Sequence, residues 1–124
     1  MATSHTHRIP GSIDYIELAV TDMAAAQAFY TNVFGWGFTP YGPDYAGIRT
    51  LAEVDGEEAG GLTVGEVRRG GPFVLMFSDD LDATAAAVTA AGGQIVDGPY
   101  EFPGGRRFHF LDPSGNELGV WATA

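Results

Sequence analysis

The sequence predicts an α+β fold in which two βαβββ modules make up one domain. Three observations carry this. First, Asp22 and Asp80, and likewise Gly35 and Gly93, stand 58 positions apart, and a β-rich run precedes each Asp. Second, each Asp is followed by an Ala-rich stretch of helix formers that stops at glycine. Third, 124 residues suit one domain, whereas half of that, about 60 residues, is marginal alone, so the halves are expected to share a core. A unit said twice also places the expected ligand site where the two copies meet.

The elements follow in order. Residues 1–12 are polar and read as a flexible N-terminal arm; its His5 and His7 make a weak metal signal at a mobile end. Ile13 to Val20 is β-branched and aromatic, as a strand requires. Its alternation puts Ile16, Leu18 and Val20 on one face and Tyr15, Glu17 and Ala19 on the other. Thr21 or Asp22 caps a helix from Met23 to Phe34. Ala26, Phe29, Tyr30, Val33 and Phe34 recur at helical spacing along it, and Gly35 supplies the left-handed stop. Strands are expected over Trp36–Tyr41, Gly47–Val54 and Glu58–Val67, with an Asp55-Gly56 hairpin turn and a weak point at Gly60-Gly61. Arg68-Arg69-Gly70-Gly71-Pro72 separates module one, 13–67, from module two, 73–122. The second module opens with a strand over Phe73–Ser78. Leu81, Ala85 and Val88 give its helix a buried stripe, ended by Gly92-Gly93. Gln94–Tyr100, Arg106–Leu111 and Glu117–Ala122 complete it, joined by Pro103-Gly104-Gly105 and by Asp112 to Asn116. Asp22 and Asp80 read as helix starters, not catalysts.

Composition narrows the function. The net charge of −10 argues against nucleic acid and leaves cationic small molecules or plain solubility. With no cysteine there is no disulfide, thiolate ligand or thiol nucleophile, which fits a reducing compartment, and cytoplasm is the expected location. No apolar run reaches the ~20 residues of a membrane helix, and the start lacks a signal-peptide layout.

The strand before Thr21-Asp22, the run Phe29-Tyr30-x-x-Val33-Phe34-Gly35-Trp36, Gly92-Gly93, and Phe110 to Asn116 resemble, in that order, the vicinal oxygen chelate superfamily of glyoxalase I, extradiol dioxygenases and bleomycin-resistance proteins. The resemblance covers about residues 13 to 122. It implies that the paired modules curl their sheets around a cleft, and that metal-dependent members place His or Glu ligands on four facing strands. The matching positions here are Tyr15, Gly61, Phe73 and Gly119. A glycine has no side chain, phenylalanine no donor atom, and a neutral phenol is a poor ligand. No cofactor is therefore expected. A divalent metal would need a displaced set such as Glu17, His109 and Glu117, in a lyase, isomerase or dioxygenase.

Alternation sends Glu17, Leu75, Phe77, Glu117 and Trp121 to the cleft with Tyr15 and Phe73, and Leu118 and Val120 to the helix side. Such a cleft suits a planar aromatic or cationic small organic molecule, and the resemblance to bleomycin-resistance proteins implies a ligand such as an antibiotic, held by sequestration. Each residue keeps a plainer role beside this one. Tyr15 and Phe73 could fill the barrel, and Trp121 could seal the core or a dimer interface. Glu17 could pair with Arg49, Arg106 or Arg107, and Glu117 could be solvated. His109, between Phe108 and Phe110, could act as acid or base with Glu17, or be simply hydrogen-bonded or surface-facing. Arg106-Arg107 could grip an anion or simply flank a turn. The resemblance also implies a homodimer. A filled cleft would instead make the chain a structural or regulatory partner.

Overall fold

A computed structural model of the chain describes residues 10, 15–50, 58–67, 69 and 73–123. The His5 and His7 pair, the Asp55-Gly56 turn and all of the Arg68–Pro72 junction except Arg69 lie outside the described residues.

Within them the chain runs β1 (Ile16–Val20), α1 (Met23–Phe34), β2 (Gly37–Pro40), β3 (Tyr45–Arg49), β4 (Gly60–Val64), then β5 (Leu75–Phe77), α2 (Leu81–Ala90), β6 (Gln94–Phe102), β7 (Gly105–Leu111) and β8 (Glu117–Ala122). The order is βαβββ twice. The strands form two four-stranded sheets, β1-β4-β3-β2 and β5-β8-β7-β6. Each first strand pairs parallel with the last strand of its own module, and the other neighbours are antiparallel. The repeat extends to register, since Glu17 lies opposite Gly61 and Leu75 opposite Gly119.

Local chemistry sets the helix ends. Asp22 and Asp80 are extended residues whose carboxylates accept from the backbone N–H groups of Ala25 and Ala83, satisfying donors that the first turn leaves unpaired. Gly35 takes φ 76°, a left-handed value that a side chain disfavours. The second stop is finer than the sequence suggests: Ala91 is the cap, and of the two glycines Gly92 carries the positive φ, 98°.

Several strand bounds move. β3 begins at Tyr45, ahead of Gly47, because Tyr45 already pairs with Thr63. β6 runs past Tyr100 to Phe102, which pairs with Gly105 across a tight turn. Trp36 precedes β2 and stacks on Tyr30, with ring centroids 4.6 Å apart and planes 8° off parallel.

Helix α1 lies between the two sheets' cores. Phe29 and Tyr30 join Leu81, Val88, Phe108, Phe110, Leu118 and Val120 in one buried cluster, while Ala26 joins Val20, Ile48 and Leu62 in the other. Leu18, Trp36 and Phe38 touch both clusters. The turn after β7 clasps this arrangement. Asp112, 4% exposed, accepts from the N–H groups of Ser114 and Asn116, from Asn116 Nδ2 and from the Tyr30 hydroxyl at 2.8 Å. Asn116 Nδ2 also reaches the Ala19 carbonyl at 2.6 Å, and Ser114 Oγ accepts from Thr21 N–H at 2.9 Å. The Asp-Pro-Ser-Gly-Asn turn thus ties module two to β1 and α1.

Candidate functional site

Strand alternation gives the second sheet two unlike faces. Phe108, Phe110, Leu118 and Val120 are buried on the helix side. The opposite face carries Phe73, Leu75 and Phe77, which remain 37%, 37% and 54% exposed, a large apolar surface to leave in water. Trp121 stands edge-on to Phe77 at 5.1 Å and to Phe102 at 6.2 Å.

Next to this apolar surface lies a polar chain. His109 pairs across the ladder with Gly119, and Leu111 with Glu117, so His109 and Glu117 share the face. Glu117 accepts from His109 Nδ1 at 3.0 Å and from Arg69 Nε at 2.8 Å. These two hydrogen bonds, His109 first, hold the Glu117 carboxyl below the usual carboxylate range. An ionised carboxylate only accepts, so Nδ1 of His109 bears the proton, and in the neutral ring Nε2 is the acceptor. Tyr100 Oη lies 2.7 Å from Nε2 and is the donor to it in that neutral form. Arg107 Nε donates to Tyr100 Oη at 2.6 Å. The Arg107 guanidinium also lies over the rings of Phe73, Tyr100 and Phe102, 5.2 to 5.6 Å from their centroids. Phe73 stacks obliquely on His109 at 4.3 Å.

The first sheet's corresponding face is phenolic and acidic. Tyr45 Oη donates to Glu17 at 2.8 Å and bonds to the Tyr15 hydroxyl, and Tyr41 donates to Glu58 at 2.6 Å. Burial, then the bonds to Tyr15 and Glu17, push the Tyr45 hydroxyl pKa up, and the Glu58 bond raises that of Tyr41.

Of the residues singled out in the sequence, the structure gathers Phe73, Leu75, Phe77, His109, Glu117 and Trp121 on the second sheet's face. Tyr15 and Glu17 stand on the first. The arginines offered as partners for Glu17 are engaged elsewhere: Arg49 with Thr39 and Phe38, Arg106 with Asp82, Arg107 with Tyr100. Tyr45, Tyr100 and Arg107 form the polar contacts that sequence reasoning missed or left as a turn.

The four positions implied for metal ligands do not fit a metal. The space beside the two glycines is taken. A Cβ at Gly61 would collide with the Tyr45 hydroxyl, and one at Gly119 would lie 2.5 Å from Phe73 Cζ and 2.6 Å from Leu75 Cδ2. Tyr15 is spent on Tyr45, and Phe73 offers only carbon. The displaced set fails as well, because Glu17 is bonded on the other sheet. Among the described residues no three His, Asp or Glu side chains converge as ligands.

Two βαβββ halves, each with its own four-stranded sheet, define a glyoxalase-type scaffold. The chain belongs to the Glyoxalase/Bleomycin resistance protein/Dioxygenase superfamily, whose family model matches residues 12–120. It is 31% identical over 133 residues to the anthracycline biosynthesis protein DnrV of Streptomyces peucetius, covering 94% of this chain and 48% of DnrV. A glyoxylase-like domain-containing protein of Didymella fabae is 32% identical, with 89% of this chain and 92% of that protein covered. The chain spans about half the length, 45 to 48%, of the bacterial curated relatives it matches. Among solved structures, TnmS3, an antibiotic binding protein from Streptomyces sp. CB03234, superposes with a TM-score of 0.67 at 23% identity, covering 95% of this chain and all of that one. That likeness shows the fold.

Proposed function

We propose that the chain binds a small planar aromatic molecule on the β5–β8 face and acts by holding it, without a metal. The observation that carries this reading is the exposed Phe73, Leu75 and Phe77 surface beside Trp121, which offers stacking area that the fold does not use. The lack of any side-chain donor at Gly61, Phe73 and Gly119, and the neutral phenol at Tyr15 bonded to Tyr45, support metal independence. DnrV is named for anthracycline biosynthesis and TnmS3 for antibiotic binding, so natural-product aromatics are the first compounds to test. Tyr15 and Glu17 enter the proposal as part of the first sheet's acidic, phenol-rich face, where a cationic group would find a carboxylate.

The proposal includes a homodimer in the cytoplasm. A second copy would match the length of DnrV. Light scattering on the purified protein checks this, with twice the chain mass expected.

Trp121 is on the face and Trp36, half-buried, stacks on Tyr30 away from it, so quenching of tryptophan fluorescence by planar aromatics that is lost in Trp121→Phe reports on the face. A ligand at 100 times its dissociation constant stabilises by about 2.7 kcal/mol. Phe73→Ala is expected to weaken binding at least tenfold, the loss of one stacking partner. If no planar aromatic quenches the fluorescence or raises the melting point, the reading is wrong. Stoichiometric metal in the protein, required for binding, would also defeat it.

A further inference from the structure

The polar chain beside Phe73 has unused capacity at two atoms. Tyr100 Oη donates to His109 and accepts from Arg107 Nε, which leaves one lone pair. Among the described residues, the Arg107 side chain makes no hydrogen bond except through Nε, so its two η-nitrogens keep their donors. An acceptor and a pair of charged donors therefore lie side by side, next to an exposed ring, at the end of a carboxylate–imidazole pair. That arrangement has the logic of a base oriented by a carboxylate behind a hydroxyl. Neither a merely apolar pocket nor a salt bridge needs it.

We propose that the ligand carries an acidic hydroxyl, phenolic or enolic, which the Tyr100–His109–Glu117 relay deprotonates and whose oxyanion Arg107 holds. The proposal rests on the planar-ligand reading above and names the chemistry of its polar group. In the transfer, the ligand O–H bond breaks and its proton goes to Tyr100 Oη. The Tyr100 proton passes to His109 Nε2. The electron pair stays on the ligand oxygen, facing the guanidinium, and the new imidazolium is balanced by Glu117 through Nδ1–H. No other reactant is consumed.

The groups around His109 are compatible with this. Glu117 on β8 and Tyr100 on β6 bond it directly, and Arg69 reaches it only through Glu117. Arg107 stands two residues along β7, bonded to Tyr100. Asp97 is the exposed ladder partner of His109 on β6. Phe73 covers one side of the ring, so a ligand stacked on Phe73 brings its substituents to Tyr100 and Arg107.

Alizarin, a planar dihydroxyanthraquinone that turns from yellow to red on losing its first hydroxyl proton, tests this against anthraquinone, which lacks hydroxyls. Bound alizarin is expected to ionise at least one pH unit below the free dye, a tenfold change in proton affinity. His109→Gln and Tyr100→Phe are each expected to return the bound dye's midpoint to that of the free dye, and either variant suffices if the other fails to fold. A wild-type midpoint equal to the free dye's, with both dyes bound, overturns the relay and leaves the planar-ligand reading standing. So does a lowered midpoint that persists in both variants. If neither dye quenches the tryptophan fluorescence, the planar-ligand reading fails and this inference falls with it.

Discussion

Replacing Tyr30 by phenylalanine removes one hydrogen-bond donor from Asp112, the buried carboxylate among the described residues. Tyr30 is 0% exposed and its hydroxyl reaches Asp112 Oδ2 at 2.8 Å. In the variant, Oδ2 keeps only Asn116 Nδ2, at 3.0 Å, while Oδ1 keeps its two backbone donors. A hydrogen bond to a charged group contributes about 1.5–3 kcal/mol, so a loss of about 2 kcal/mol is expected. At about 2.1 cal/mol/K of unfolding entropy per residue, 124 residues translate that into a melting point lower by roughly 8 °C. Asp112→Asn turns one oxygen into a donor facing donors and is expected to cost more, about 3 kcal/mol or above. Adding Tyr30→Phe to Asp112→Asn then costs at least about 1 kcal/mol less than in the wild type, because the two changes break the same bond. Burial first, and then the Asp112 charge, raise the Tyr30 hydroxyl well above its usual value. The neutral phenol is therefore favoured by folding. Its contribution is fully present below about pH 10 and is lost as pH climbs toward the folded-state value. Thermal melts by circular dichroism at neutral and alkaline pH measure all of this. A Tyr30→Phe shift under about 2 °C, or strict additivity with Asp112→Asn, would refute the clasp.

Other outcomes follow from single contacts. Asp22→Ala and Asp80→Ala should each cost about 1 kcal/mol as lost caps, measurable by urea unfolding, whereas Asp22→Ser should restore most of the loss. Gly60→Ala should be far more damaging than Gly61→Ala. The first drives a methyl into the Ile16 carbonyl oxygen, which is backbone, and the second displaces only the end of a side chain, the Tyr45 phenol. The measurement is soluble yield and melting point, and equal effects would contradict the pairing of β1 with β4. Glu117 has a lowered folded-state pKa, so its contribution is present above the ordinary carboxylate range and disappears as pH falls through the folded value. Glu117→Gln should therefore flatten the acid limb of a stability-versus-pH profile and leave the alkaline limb alone.

Much of the fold was legible because it rests on local chemistry. Helix α1 and strand β8 occupy the bounds that capping residues, periodicity and turn residues mark for them. Alternation also placed Phe73, Leu75, Phe77, Glu117 and Trp121 on one face, opposite the buried Leu118 and Val120. The polar half of the site was harder to read. β6 shifts register between Ile95 and Asp97 and again between Asp97 and Tyr100, so counting by twos from Gln94 does not say where Tyr100 points. The signal for Arg107 was present. Once Phe108 and Phe110 are assigned to the core, Arg107 and His109 must face the other way. Tyr45 escaped notice because it lies ahead of the expected strand. That it fills the space above Gly61 depends on a pairing between strands, which no local pattern encodes.

The parallel pairings have a bearing on how the polypeptide comes together during synthesis. β1 has no sheet neighbour until residues 60–64 are made, and β5 none until residues 117–122 are. Each sheet is therefore zipped shut by its last-made strand, after the intervening hairpin strands already exist. Phe29 and Tyr30 of α1 wait longest, since most of their partners lie on the final two strands and their turn. A nascent chain halted before β8 would display both those rings and the Leu75–Phe77 edge to whatever else was nearby, which makes the closing strand the natural point of quality control for the molecule.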